Sequence, residues 1–335
     1  MKKNLHHVRS LASVASVALF INMLKRTGPG AIVDKIRLLG WGFAVLILLS
    51  GVRHVLRAVA WRYCVGPEEG RPSLLDFFGV RLVGEGFNDM TPAGPLVGET
   101  VKVLAVSRRI SAQSSTASVV IENLVYGLGA VLFMLTGVVL VLLEFATPHG
   151  FSWLAAGLVT CFLVSMLLPY WLISRRILLV GGILNRLKDT GLRWASLERY
   201  EHDLRAVEES THDFFRSRRR LFLGVLAIEI ATNFTGIGEA YLILKATAAQ
   251  ASVLAAYLVE SASRAVQLAF AFVPLGLGVQ EGVAAATLQG LGYAASEGVS
   301  LAMIRKIRTV FWAALGLLLA AKYYIVRTVE EESTT

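Results

Sequence analysis

Two stretches of this chain repeat one arrangement of proline, glycine and glutamate: Pro92-Ala-Gly94-Pro-Leu-Val-Gly98-Glu99 and Pro274-Leu-Gly276-Leu-Gly278-Val-Gln280-Glu281. Both read Pro-x-Gly-x4-Glu, and both interrupt an apolar segment. Proline removes a backbone donor and clashes with the preceding turn, so each element should break its helix. A broken helix leaves N–H and C=O groups that hydrocarbon cannot satisfy, and such backbone is tolerated only inside the protein or along a wet cavity. The segments following Pro92 and Pro274 present helix N-termini, whose N–H groups and dipole favour an anion. Glu99 and Glu281, about two turns further on, would answer a cation or titrate. The alternative is that the breaks serve close packing and the glutamates pair internally.

Other ionisable side chains gather around the breaks. Arg81, Glu85, Asn88, Asp89 and Thr91 lead into the first, and helical spacing puts Arg81, Glu85 and Asn88 on one face. Lys102 follows Glu99 at i+3, a spacing for an intrahelical ion pair, and Glu122 opens the next span. In the second half Glu229, Asn233, Glu260, Arg264 and Gln267 precede the break, and Arg305 and Arg308 follow it. Glu260 and Arg264 stand at i,i+4 and suit a local pair. A charge at the bilayer centre costs roughly 2.5 kcal/mol or more, so such residues line a pathway or pair with one another. These residues apart from Asn233, with Pro92, Gly94, Pro274, Gly276, Gly278, Gln280 and Glu281 at the breaks, form the candidate substrate-binding set. Arg53, His54, Arg57 and Arg62 lie towards a membrane interface and read as snorkelling.

No catalytic set is expected beside them. Cys64 and Cys161 offer neither a disulfide framework nor a metal spacing, and the six histidines are scattered. No nucleophile–histidine pairing, acidic metal cluster or Gly-x4-Gly-Lys-Ser/Thr motif is present, so neither a metal, a cofactor nor ATP driving is expected.

The elements that must position these residues are membrane helices. Of 335 residues 55% are hydrophobic and 17% charged, with a mean hydropathy of +0.60. Apolar segments run at 10–24, 38–61, 74–90, 95–107, 117–143, 151–173, 221–244, 251–273, 275–291 and 299–326. Several reach the roughly 20 residues that span a bilayer. The run Leu11 to Leu24 is closed by Lys25-Arg26-Thr27 without a small-residue cleavage site, and reads as a retained first helix. The expected fold is an all-α polytopic membrane protein. About six full transmembrane helices are joined by two broken, re-entrant hairpins, 74–107 and 251–291, arranged as inverted repeats. Residues 1–335 form a single membrane domain: a first half at about 38–173, a cytoplasmic amphipathic segment at 174–220 and a second half at about 221–326.

Basic residues set the orientation. The loop near 144–150 holds none, whereas 174–220 holds eleven against seven acidic ones. The second therefore faces the cytoplasm, both termini lie inside, and the hairpins enter from opposite faces of an inner or plasma membrane. Lys25, Arg26, Lys35 and Arg37 conflict with this by falling in an outer loop. Leu197, Tyr200, Leu204 and Val207 recur at helical spacing among charges, as in a helix lying on the inner leaflet. Arg216, Arg218, Arg219 and Arg220 at its end act as a topology signal or an anionic-lipid contact.

The motif Phe87-Asn-Asp-Met-Thr-Pro-Ala-Gly-Pro-Leu-Val-Gly-Glu-Thr-Val-Lys102 and the later Phe272-Val-Pro-Leu-Gly-Leu-Gly-Val-Gln-Glu281 resemble the lysylphosphatidylglycerol synthase transmembrane-region family, a flippase-like group. The resemblance covers nearly the whole chain. It implies a membrane domain that moves a polar-headgroup lipid between leaflets, with members linked to aminoacylated phosphatidylglycerol, hopanoids and polyprenyl-linked sugars. Its motif positions fall on Asn88, Thr91, Pro92, Gly94, Glu99 and Lys102, and on Pro274, Gly276, Gly278, Gln280 and Glu281. Two-part members add a soluble aminoacyltransferase domain, which these 335 residues do not contain. Lysyl transfer is therefore not expected of them.

The leading expectation is a lipid flippase or transporter, not an enzyme. Helix N-termini with Arg81, Lys102, Arg264 or Arg308 would hold a phosphate-bearing, aminoacylated or polyprenyl-linked headgroup. Transport would be passive or proton-coupled through Glu99 or Glu281. The alternatives are a membrane-embedded lipid-modifying transferase, and a non-catalytic partner presenting lipid to a separate synthase. The expected partners are membrane lipids and a separate lipid-modifying enzyme, with no nucleic acid.

Overall fold

The computed structural model describes residues 39–66, 72–90, 94–144, 195–248, 250–270 and 273–333, with Arg37 and Thr160 besides. Among them there are nine α-helices and no strand. We label these α1 (Trp41–Cys64), α2 (Leu74–Met90), α3 (Gly94–Val106), α4 (Ala112–Glu144), α5 (Ala195–Ser217), α6 (Arg219–Thr247), α7 (Val253–Ala269), α8 (Val279–Gly290) and α9 (Ala295–Ser333). Among the described residues three helices are long and apolar enough to cross a membrane: α1, the Ala112–Val141 part of α4, and α6. The apolar segment at 299–326 lies within α9. The segments at 10–24 and 151–173 lie outside the described residues.

Helix starts follow a recurring sequence device. Ser73 caps α2: its hydroxyl accepts from the Asp76 amide at 3.2 Å, and its own amide donates to the Asp76 carboxylate at 2.9 Å. Glu281 reaches back to the Gly278 amide in the same way, and Glu297 to Ala294. An acid at the third helical position thus satisfies an orphan N–H at three starts, and sits where the helix dipole favours it.

The chain divides into two compact units. One joins residues 1–52, 79–101 and 235–335; the other joins 53–78 and 102–234. In the first, α8 packs against α7 and α9. Glycines set the approach. A Cβ on Gly316 of α9 would stand 2.0 Å from the Leu82 carbonyl oxygen of α2, and one on Gly298 2.4 Å from that of Ala284. Small residues at such crossings let membrane helices meet backbone to backbone. In the second unit α5 packs on α4. Its Thr211, His212, Phe214 and Phe215 are buried, while Arg205, Glu209, Asp213 and Arg216 are exposed; the side chains of Leu197, Tyr200 and Leu204, on which the amphipathic reading rested, lie outside the described residues.

Candidate functional site

Both breaks belong to one unit, and each falls where the Pro-Gly pattern predicts. Helix α2 stops at Met90 and α3 begins at Gly94; Thr91 and Pro92 lie between, outside the described residues. Gly94 and Gly98 close the first break. A Cβ on Gly94 would lie 1.9 Å from the Asn88 carbonyl oxygen, and one on Gly98 2.5 Å from that of Gly84. At the second, α7 ends with Phe270 as its C-cap, a short 3-10 turn covers Pro274–Gly276, and α8 starts after Gly278. Here Leu275 (φ 54°), Gly276 (57°) and Gly278 (80°) all take left-handed backbone conformations. For leucine that costs roughly 1–2 kcal/mol.

The charges of this unit are largely neutralised in pairs. Arg81, fully buried, donates to Glu85 at 2.7 Å, as the i,i+4 spacing suggests. Glu260 meets Arg264 at 2.9 Å, the pairing expected from sequence, and also Arg305 at 2.5 Å. Arg305 donates further to the Gly236 carbonyl at 2.9 Å, and Gly236 leaves no room for a Cβ beside the Glu260 carboxylate. Arg308 pairs with Glu239, and Lys306 with Glu281. Glu281 is therefore doubly engaged, capping its own helix with one oxygen and holding Lys306 with the other. Gln280 donates to the Ser263 carbonyl at 3.3 Å. Asn88, Asp89 and Glu99 are half-buried, and Asp89 lies within electrostatic reach of Glu85 and Arg308. Gln267 is exposed on α7.

The other unit holds a second buried network. Arg57 of α1 donates to Glu122 of α4 at 2.8 Å, stands 3.6 Å from Glu229 of α6, and lies over the Tyr126 ring at 3.9 Å. Lys102 of α3 approaches Glu122 at 3.8 Å and faces the Trp61 ring at 5.6 Å. Trp61 in turn donates to the Ser118 hydroxyl at 3.1 Å and meets Phe77 edge to face. Asn233 donates to the Glu229 carbonyl one turn back.

Arg57 corrects its sequence reading. It is not a snorkelling residue but the hub of a buried network, because Glu122 and Glu229 on two other helices supply its counter-charge. Glu239 and Lys306 were missed as well. Their signal was present: a charge inside an apolar run needs a partner, and neither has one at helical spacing on the face where it is buried. At the opening of α2, Asp76 also meets Arg109 at 2.6 Å. Burial pushes its carboxyl up, but the Ser73 bonds and Arg109 outweigh this and hold it below the ordinary range.

An all-helical membrane protein whose apolar helices carry paired buried charges around two breaks is the class that fold and geometry define. Within that class the chain belongs to the family described as the lysylphosphatidylglycerol synthase TM region, whose model matches residues 9–316. No curated protein and no solved structure matches it. The family sets the protein in a lipid-related membrane context.

Proposed function

We propose that this protein is a lipid flippase or transporter, moving a lipid with a phosphate-bearing, aminoacylated or polyprenyl-linked headgroup between leaflets. The observation that carries this reading is the pair of Pro-Gly breaks within one unit, each bounded by buried charges. Discontinuous helices of this kind hold polar cargo at the midplane of transporters built from repeats. Membership of a lipid-related family supports the choice of a lipid as cargo.

The proposed topology has both termini cytoplasmic in the inner or plasma membrane, six full spans, and hairpins entering from opposite faces as inverted repeats of a single membrane domain. Helix lengths support the repeat: α2 and α7 have 17 residues each, and α3 and α8 have 13 and 12. The headgroup would meet the proposed site at Asn88, Asp89, Glu99 and Arg264, while its tails stay in the bilayer. Glu281 fixes the start of α8. Transport is passive or proton-coupled, and a separate lipid-modifying enzyme is the partner we propose for delivery or use of the lipid.

The test is reconstitution into proteoliposomes containing labelled phospholipids and polyprenyl phosphates. Protein-dependent loss of leaflet asymmetry is expected for at least one lipid, and Glu99→Gln should slow it about tenfold or more while the protein stays folded. If no lipid of a broad panel moves, the reading is wrong.

A further inference from the structure

Leu275 holds a left-handed backbone conformation that a bulky side chain rarely keeps. A residue held this way persists only where its surroundings fix it, and such positions collect at switch segments. Leu275, Gly276 and Gly278 all stand directly before α8. At the other end of α8 Gly292 is left-handed as well, with φ 84°. There the Gly292 amide donates to the Gln289 carbonyl at 3.1 Å, and the Tyr293 amide to that of Leu288 at 3.0 Å. A glycine in this position is an ordinary way to end a helix. The strain is therefore confined to the start of α8.

What holds that start is polar. Glu281 accepts from the Gly278 amide at 2.9 Å with one oxygen and meets Lys306 of α9 with the other. Gln280 donates to the Ser263 carbonyl of α7 at 3.3 Å. Apolar burial adds little: of α8 only Ala284 and Leu288 are buried, against eight residues of α7. Beside Ala284, α9 presents Gly298, which has no side chain to interlock with α8. A segment with so few buried contacts opens at low cost. Once its polar ties are exchanged for others, the strain at Leu275 favours release.

We infer that α8 is a hinged arm whose catch is the bond between Lys306 and Glu281. When the catch opens, Leu275 relaxes out of its left-handed conformation, and the start of α8 swings away from α9 about the turn at Gly292. The arm is closed in this structure. In the transporter proposed above, this swing is the step that opens the second hairpin, and only that assignment rests on the transporter reading.

Distances between spin labels on the full chain in lipid nanodiscs test the arm, in a Cys64→Ser/Cys161→Ser background. One label sits on α9 at Leu318→Cys, an exposed position. The other sits on α8, at Gly282→Cys near the catch or at Gly290→Cys near the pivot, where an added side chain meets open space. With the catch intact, one distance should dominate for each pair. The catch is removed as a pair, Glu281→Gln/Lys306→Gln, so that neither charge is left without the other. A second distance from Gly282→Cys should then rise about fivefold or more in population, while that from Gly290→Cys stays unchanged. Lys306→Arg, which keeps the charge, should stay closed. Adding Leu275→Gly to the catch-free chain should lower the new population about fivefold or more, because glycine takes the left-handed conformation without leucine's cost. A turn that was merely flexible would open further instead. A second measurement leaves the catch in place: Tm should rise with Leu275→Asn and fall with Leu275→Val, since asparagine tolerates left-handed backbone and a β-branched residue does not. One distance in the catch-free chain, equal change at both α8 positions, more opening with Leu275→Gly, or the reverse order of Tm overturns the arm. No lipid enters these readouts. An arm that swings in a protein moving no lipid leaves only the transporter reading wrong, and lipid movement with a single distance leaves only the arm wrong.

Discussion

The break between Met90 and Gly94 spans three residues, and that between Ala269 and Val279 spans nine. The first is closed by contact: Gly94 and Gly98 lie directly on the backbone of α2, at Asn88 and Gly84, with no space for a methyl group. The second is closed by conformation and charge, through three left-handed residues and a glutamate that caps its own helix while binding Lys306. One sequence pattern thus serves two constructions. Its glycines supply close approach in the first copy and backbone freedom in the second. In the second copy its glutamate binds both the Gly278 amide and Lys306.

Substitutions in the two copies should separate the two constructions. The largest effect is expected from Gly98→Ala, where the new methyl meets a carbonyl oxygen. A loss of about 3 kcal/mol or more, seen as a large drop in Tm in detergent, would establish the first break as contact-limited; an unchanged Tm would contradict it. Next is Glu281→Gln, which keeps an acceptor for the Gly278 amide but leaves the Lys306 ammonium without its buried partner. It should cost about 2–3 kcal/mol. Gly278→Ala is smaller again, because nothing lies within 4 Å of the added methyl and only its φ of 80° resists. About 1 kcal/mol is expected.

The smallest effect concerns the start of α2, in the other unit. Asp76 has its carboxyl held below the ordinary range, so it contributes stability that is present at neutral pH and lost as pH falls through the acid range. Asp76→Asn should remove that part of the acid dependence, measured as Tm between about pH 6 and pH 3.

Much of this architecture could be read from the chain itself. Pro92, Pro274 and the glycines after them marked both interruptions, because the conformational limits of these residues are local. Arg81–Glu85 and Glu260–Arg264 were legible for the same reason: i,i+4 neighbours on a helix meet whatever surrounds them. Arg57, Glu239 and Lys306 were not, since their partners lie 65, 69 and 25 residues away and only the packing of helices brings them together. Nor could the sequence tell that one glycine pattern is a contact surface in one copy and a hinge of left-handed residues in the other. That depends on what backbone lies opposite.

The bond between Glu281 and Lys306 also has a consequence for how the protein is made. The glutamate leaves the ribosome ahead of its lysine, and until α9 follows, the start of α8 carries an uncompensated charge that hydrocarbon rejects. The ion pair at the start of α8 is therefore completed only when residue 306 arrives. A nascent chain arrested short of that point would leave Glu281 with the Gly278 amide but without its lysine.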